Sequence, residues 1–77
     1  MQELKVLLST IADVKDFVQI VNQYSYHVDL ISDRYIVDGK SIMGIFSLDL
    51  TRPLLARINC ESDCELISEL QRFLHKD

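Results

Sequence analysis

Few residues in this chain can do chemistry, and their spacing narrows what they can do. Cys60 and Cys64 form a C-x₃-C pair. Redox and zinc motifs usually use C-x₂-C, and a zinc site needs further ligands nearby. His75 is the only other soft ligand in that segment, so two buried, inert thiols are expected; the competing reading is a small redox protein using Cys60 and Cys64. His27 opens a predicted strand beside Tyr26, as a structural histidine does. His75 falls in the last turn of a predicted helix, where a cation suits the dipole. Asp29, Asp33 and Asp38 lack the spacing of a calcium loop. With only Gly39 and Gly44, the chain has no glycine-rich phosphate cradle. No metal and no cofactor are expected.

Two hydroxyls stand where helices should begin. Asp38-Gly39 is a strong turn signal. Ser41 follows it and can cap a short helix whose first N–H groups would face an anion. Ile42, Met43 and Phe46 come next at spacings that share a helix face. They read either as a patch that docks a protein partner or as a plug that joins Leu48 in the core. Thr10 is the second hydroxyl. It precedes the helical period Ile11, Val14, Phe17, Val18 and Val21, with Tyr24 near its end and Asp13 at the positive pole.

The elements that position these residues follow from periodicity. Leu4 to Leu8 reads as an inner strand, His27 to Ile31 as a second, and Tyr35 to Val37 as its hairpin return. The short helix fades near Leu50. Pro53 disfavours helix at Arg52, and Leu54 to Ile58 is the last strand. Ser62 and Glu65 have the spacing of a capping box, followed by the stripe Leu66, Ile67, Leu70, Phe73 and Leu74. The order is βαββαβα. Two long amphipathic helices would cover one face of a four-stranded antiparallel sheet, an α+β domain spanning residues 1–77.

Composition excludes several classes. A net charge of −4 in 77 residues, with no basic clustering around the aromatics, argues against a nucleic-acid partner. No apolar run approaches the ~20 residues of a membrane span, so no membrane partner is expected. Two cysteines without an export signal suggest a reducing, cytoplasmic setting. So small a domain would be a monomer or a weak homodimer.

The segment Gly39-Lys40-Ser41-Ile42-Met43-Gly44, followed by Ile45-Phe46-Ser47-Leu48, resembles the regulatory-serine segment of the HPr (histidine-containing phosphocarrier) family of the bacterial sugar phosphotransferase system. The resemblance implies an open-faced β-sandwich of the same element order. It implies Ser41 as a candidate for regulatory phosphorylation, and Ile42, Met43 and Phe46 as partner docking residues. In that family, a histidine capping the first helix accepts phosphate, with an arginine two positions later and a proline beside it. An ungapped alignment from the second strand puts Thr10 at the histidine, Ala12 at the arginine and Asp13 at the proline. A threonine phosphoester is too unreactive for a reversible relay. The expectation is therefore a non-enzymatic, regulatory member acting by protein–protein contact, in phosphotransferase or catabolite control. The alternative is a phosphocarrier with an atypical acceptor.

Overall fold

Period-two alternation in four short segments builds one antiparallel sheet, and its inward side chains set where every helix lies. The computed structural model describes residues 1–75. In chain order the elements are β1 (Gln2–Val6), α1 (Ile11–Val21), β2 (Val28–Ser32), β3 (Tyr35–Asp38), α2 (Ile42–Phe46), β4 (Leu54–Ile58) and α3 (Glu65–Glu69). A 3-10 turn, Gln71–Phe73, follows. This is the expected βαββαβα order, with strands arranged β1-β4-β2-β3.

The register sorts the residues of each strand onto two faces. Leu4 pairs with Ala56, Ala56 with Leu30, and Leu30 with Val37. Ala56 and Leu30 are fully buried beneath the helices. On the other face, Lys5, Leu55, Ile31 and Ile36 form one row, and Glu3, Arg57, Asp29 and Asp38 form the next. Arg57 Nε lies 3.1 Å from Glu3 Oε2. The core joins the inner row to Val14, Phe17 and Val21 of α1, Ile45 of α2, and Leu66, Leu70 and Phe73 near the C-terminal end. Phe17 and Phe73 meet edge to face at 5.6 Å, the arrangement that ring quadrupoles favour. Tyr24 donates a hydrogen bond to Glu69, tying the end of α1 to α3. That bond holds the phenol at a pKa of about 12.

Several boundaries differ from expectation. β1 starts at Gln2 and stops at Val6; Leu8 leaves the strand yet remains fully buried. Ile11 is 64% exposed and does not join the core face of α1. It occupies the first helical position, whereas the buried stripe of α1 begins at Val14. The last helix is one short element rather than a long one. After Glu69 the chain tightens into the 3-10 turn, in which residues three apart eclipse, and both Leu70 and Phe73 stay buried. Leu74 then leaves the helical path and bridges to Val6.

The hairpin return ends on a close approach. The Gly39 N–H donates to Val28 O at 2.7 Å. A Cβ on Gly39 would stand 2.6 Å from Val28 Cγ1 and 3.1 Å from Val28 O. Val28 is fully buried and has nowhere to move. Gly39→Ala is therefore expected to cost about 1–3 kcal/mol by overpacking, read as a lower urea midpoint. A midpoint unchanged from the wild type would contradict this packing.

Candidate functional site

Thr10 and Ser41 are both helix caps. Thr10 Oγ1 accepts from the Asp13 N–H at 3.0 Å, and Asp13 Oδ2 accepts from the Ser9 N–H at 3.1 Å. The two side chains thus satisfy backbone donors reciprocally at the start of α1, much as a capping box does. Ser41 Oγ accepts from the Gly44 N–H at 3.2 Å. Lys40, just before it, donates through Nζ to Tyr24 O at 2.8 Å, beyond the C-terminal end of α1. Thr10 and Ser41 therefore lie toward opposite ends of α1, separated by roughly 15 Å of helix. The fold does not bring them into one site.

On α2, Ile45 is fully buried and anchors the helix. A Cβ on Gly44 would meet Val37 Cβ at 3.3 Å, so glycine lets α2 settle closely on β3. Met43 is 77% exposed and Phe46 40% exposed. Ile42 packs partly against the core, and Leu48 is buried. The three docking candidates thus divide: Met43 and Phe46 form the outward surface, and Ile42 mainly supports it.

A second feature, absent from any local pattern, lies at the start of α1. A cleft of about 430 Å³ is lined by Leu7, Ser9, Asp13, Arg72, Phe73, Leu74 and His75. Its far wall exists because the C-terminal segment pairs with β1. The Leu7 N–H donates to Phe73 O at 2.8 Å, and the His75 N–H donates to Lys5 O at 2.9 Å. Arg72 Nη2 lies 2.6 Å from Asp16 Oδ2, and its guanidinium covers the Phe73 ring at 4.5 Å. His75 is thus not in a helical turn, as its spacing suggests. It lies in an extended segment, and it is an imidazole brought to the cleft at the start of α1, where the local sequence supplies none.

The electrostatics of this cleft do not resemble a phosphate cradle. Its one arginine is already matched by Asp16. Asp13 places a carboxylate across the helix start, and the Asp13 N–H is taken by Thr10. An arriving dianion would meet the Asp13 carboxylate in the cleft, beside a guanidinium already engaged by Asp16.

The cysteines depart from expectation. Cys60 and Cys64 form a disulfide with Cα atoms 6.4 Å apart, inside the bridgeable range. Cys64 takes the N-cap position of α3 and makes no side-chain cap bond. The capping box expected at Ser62 and Glu65 is therefore absent, because the helix starts later than its spacing implies. Glu61, Asp63 and Glu65 flank the pair without any cation, the opposite of the electropositive setting of a reactive thiol.

Comparison of whole structures gives this arrangement a name. The chain superposes on HPr-C-His from Thermoanaerobacter tengcongensis with a TM-score of 0.78 at 24% identity, covering 94% of this chain and 89% of that one. The phosphocarrier protein HPr from Bacillus anthracis matches with a TM-score of 0.67 at 23% identity, covering 96% and 94%. The Bacillus subtilis catabolite repression containing protein Crh, described as a domain-swapped dimer, matches at 0.65 and 28% identity, covering 95% and 90%. No protein-family model and no curated protein sequence matches the chain. The protein has the HPr fold, the open-faced β-sandwich of the histidine-containing phosphocarriers and of Crh. No helix among the described residues is long and apolar enough to cross a membrane.

The cap at α1 carries a measurable share of stability. Thr10→Ala should lower unfolding free energy by about 1 kcal/mol, read in urea with an unchanged slope. A loss within error of zero would mean that Asp13 alone holds the helix start.

Proposed function

We propose that this is a non-catalytic, HPr-like protein of the bacterial cytoplasm. It acts by protein–protein contact in phosphotransferase or catabolite control, through the segment Ser41–Leu48. The observation that carries this reading is the division of α2. Ile45 is sunk in the core while Met43 stands 77% exposed beside Phe46. A short helix pinned from below presents a rigid apolar surface, which lowers the ordering cost of docking. Among the structural neighbours, Crh is named for catabolite repression, and the resemblance of residues 39–48 to the HPr regulatory-serine segment supplies the partner class, another protein. Ser41 is the candidate for regulatory phosphorylation, since a phosphate there would add negative charge beside the docking surface.

Two experiments test this reading. Met43→Glu should abolish capture of a partner from bacterial lysate while leaving the melting temperature unchanged; retained capture would remove the surface from consideration. Incubation with an HPr-type serine kinase and ATP should add one phosphoryl mass to the wild type and none to Ser41→Ala. No mass shift on the wild type would end the regulatory role of Ser41.

One observation favours a second reading. His75 lines the cleft at the start of α1, near the position where the family's acceptor resemblance falls on Thr10. The protein would then be a phosphocarrier with an atypical acceptor. Incubation with phosphoenolpyruvate and the general phosphotransferase enzyme separates the readings. Under the first, no acid-labile label appears. Acid-labile label on the wild type that is lost in His75→Gln would establish the second.

A further inference from the structure

The two edges of the sheet are treated differently. β1 has its outer edge covered by the C-terminal segment, through the bonds of Leu7 to Phe73 and His75 to Lys5. β3 is the other edge, and no described element pairs with its outer side. Bare edge strands are usually blunted by charge, proline or a bulge. β3 reads Tyr35-Ile36-Val37-Asp38, with Tyr35 70% and Ile36 62% exposed.

The direction of its backbone groups follows from the ladder. The Gly39 N–H donates to Val28 O across the β2–β3 pair. In an antiparallel ladder, hydrogen-bonded and non-hydrogen-bonded pairs alternate. Gly39, Val37 and Tyr35 therefore spend their backbone groups on β2, and Ile36 and Asp38 point theirs outward. Asp38 O is taken by the Ser41 N–H; the groups of Ile36 remain.

We propose that β3 pairs antiparallel with β3 of a second copy, with Ile36 opposite Ile36 on the two-fold axis. The observation is that this edge complements itself in that register. The outward backbone groups allow only registers that oppose even-numbered residues. Among these, moving by one step sets Ile36 against Asp38 or against Arg34. The centred register sets Ile36 against itself, with two N–H···O=C bonds, and brings Arg34 beside Asp38 of the second copy, twice.

Charge on the open face points the same way. Asp29 and Asp38 stand directly opposite each other on β2 and β3, a like-charge pair that destabilises a sheet. Asp29 has the Arg57 cation directly opposite it on β4, and His27 Nε2 lies 3.0 Å from its Oδ1. Asp38 uses one oxygen on the Lys40 N–H and has no ion pair among the described residues. Arg34 has none either. In the dimer each Arg34 would bring a cation to the Asp38 side of this row. The apolar row Leu55, Ile31 and Ile36 would continue unbroken across the axis into its copy. The proposal goes beyond the docking role of α2 and does not rest on it. So small an interface makes the association weak, in the millimolar range.

Two measurements test this. In sedimentation equilibrium from micromolar to millimolar protein, the mass of the wild type should rise from 8.9 kDa toward twice that value. R34E and D38R should each weaken association about tenfold, since two cross-strand pairs are lost at once. R34E/D38R together should restore it, because the swapped charges meet again; melting temperatures report whether each variant is folded. In mild oxidation, Ile36→Cys should give a covalent dimer. Residues in a hydrogen-bonded antiparallel pair have Cα atoms about 5.5 Å apart, and the native cysteines are already joined. Gln19→Cys, on the polar face of α1, should not cross-link. A wild type that stays monomeric at millimolar concentration would overturn the proposal. So would a dimer that gives no cross-link at residue 36, or a charge swap that fails to restore association.

Discussion

One-sided burial of the sheet is the constraint on which the other features depend. Val28, Leu30, Ala56, Leu54 and Ile58 must all point under the helices. A slip of one residue in β2 would turn Asp29 into that core and Val28 and Leu30 into water. Register is therefore fixed across all four strands, and with it the places where the chain can leave the sheet. α2 is seated where Gly44 meets Val37. The C-terminal segment is seated where Phe73 meets Phe17, and this lays residues 73–75 along the edge of β1. Both surfaces with a claim to function, the outward side of α2 and the cleft at α1, are consequences of that packing.

The two surfaces differ in what they can bind. α2 has an apolar exterior on a buried anchor and no charge of its own, suited to a protein partner that excludes water. The cleft has an imidazole and a guanidinium, but the Asp13 carboxylate lines it as well and the guanidinium is engaged by Asp16. Asp13 is held by the Ser9 N–H and Asp16 by Arg72. The same contacts that stabilise the start of α1 make it a poor receiver of phosphate.

Local features of this fold are legible in the sequence, and non-local ones are not. Thr10 and Ser41 read as caps because capping needs only a hydroxyl and an N–H three residues on. The β2–β3 hairpin and the loop at Pro53 are equally local. The element order βαββαβα follows from the changes of period along the chain, whereas the strand order β1-β4-β2-β3 depends on pairings between distant segments that no local pattern announces. The end of α3 is different. Its stripe continues in helical spacing through Leu74, yet pairing with β1, at the far end of the chain, draws that residue out. No pattern within residues 65–75 announces the bond from His75 to Lys5, so the position of His75 cannot be read from spacing. Ile11 fails for a related reason: periodicity counts apolar residues and is blind to where the covered surface ends. The Cys60–Cys64 link depends on the geometry of the turn after β4, which C-x₃-C spacing does not fix.

The central claim is that the start of α1 is satisfied by its own side chains, leaving recognition through α2 as the work of the fold. Titration of the isotope-labelled protein with inorganic phosphate, followed by amide and imidazole chemical shifts, tests it most directly. Shifts at Ile11, Ala12, Asp13 and His75 that stay linear and small are the result expected. Saturable shifts at those four residues together would contradict the claim, for they would show an anion site at the helix start that Asp13 and Asp16 fail to block.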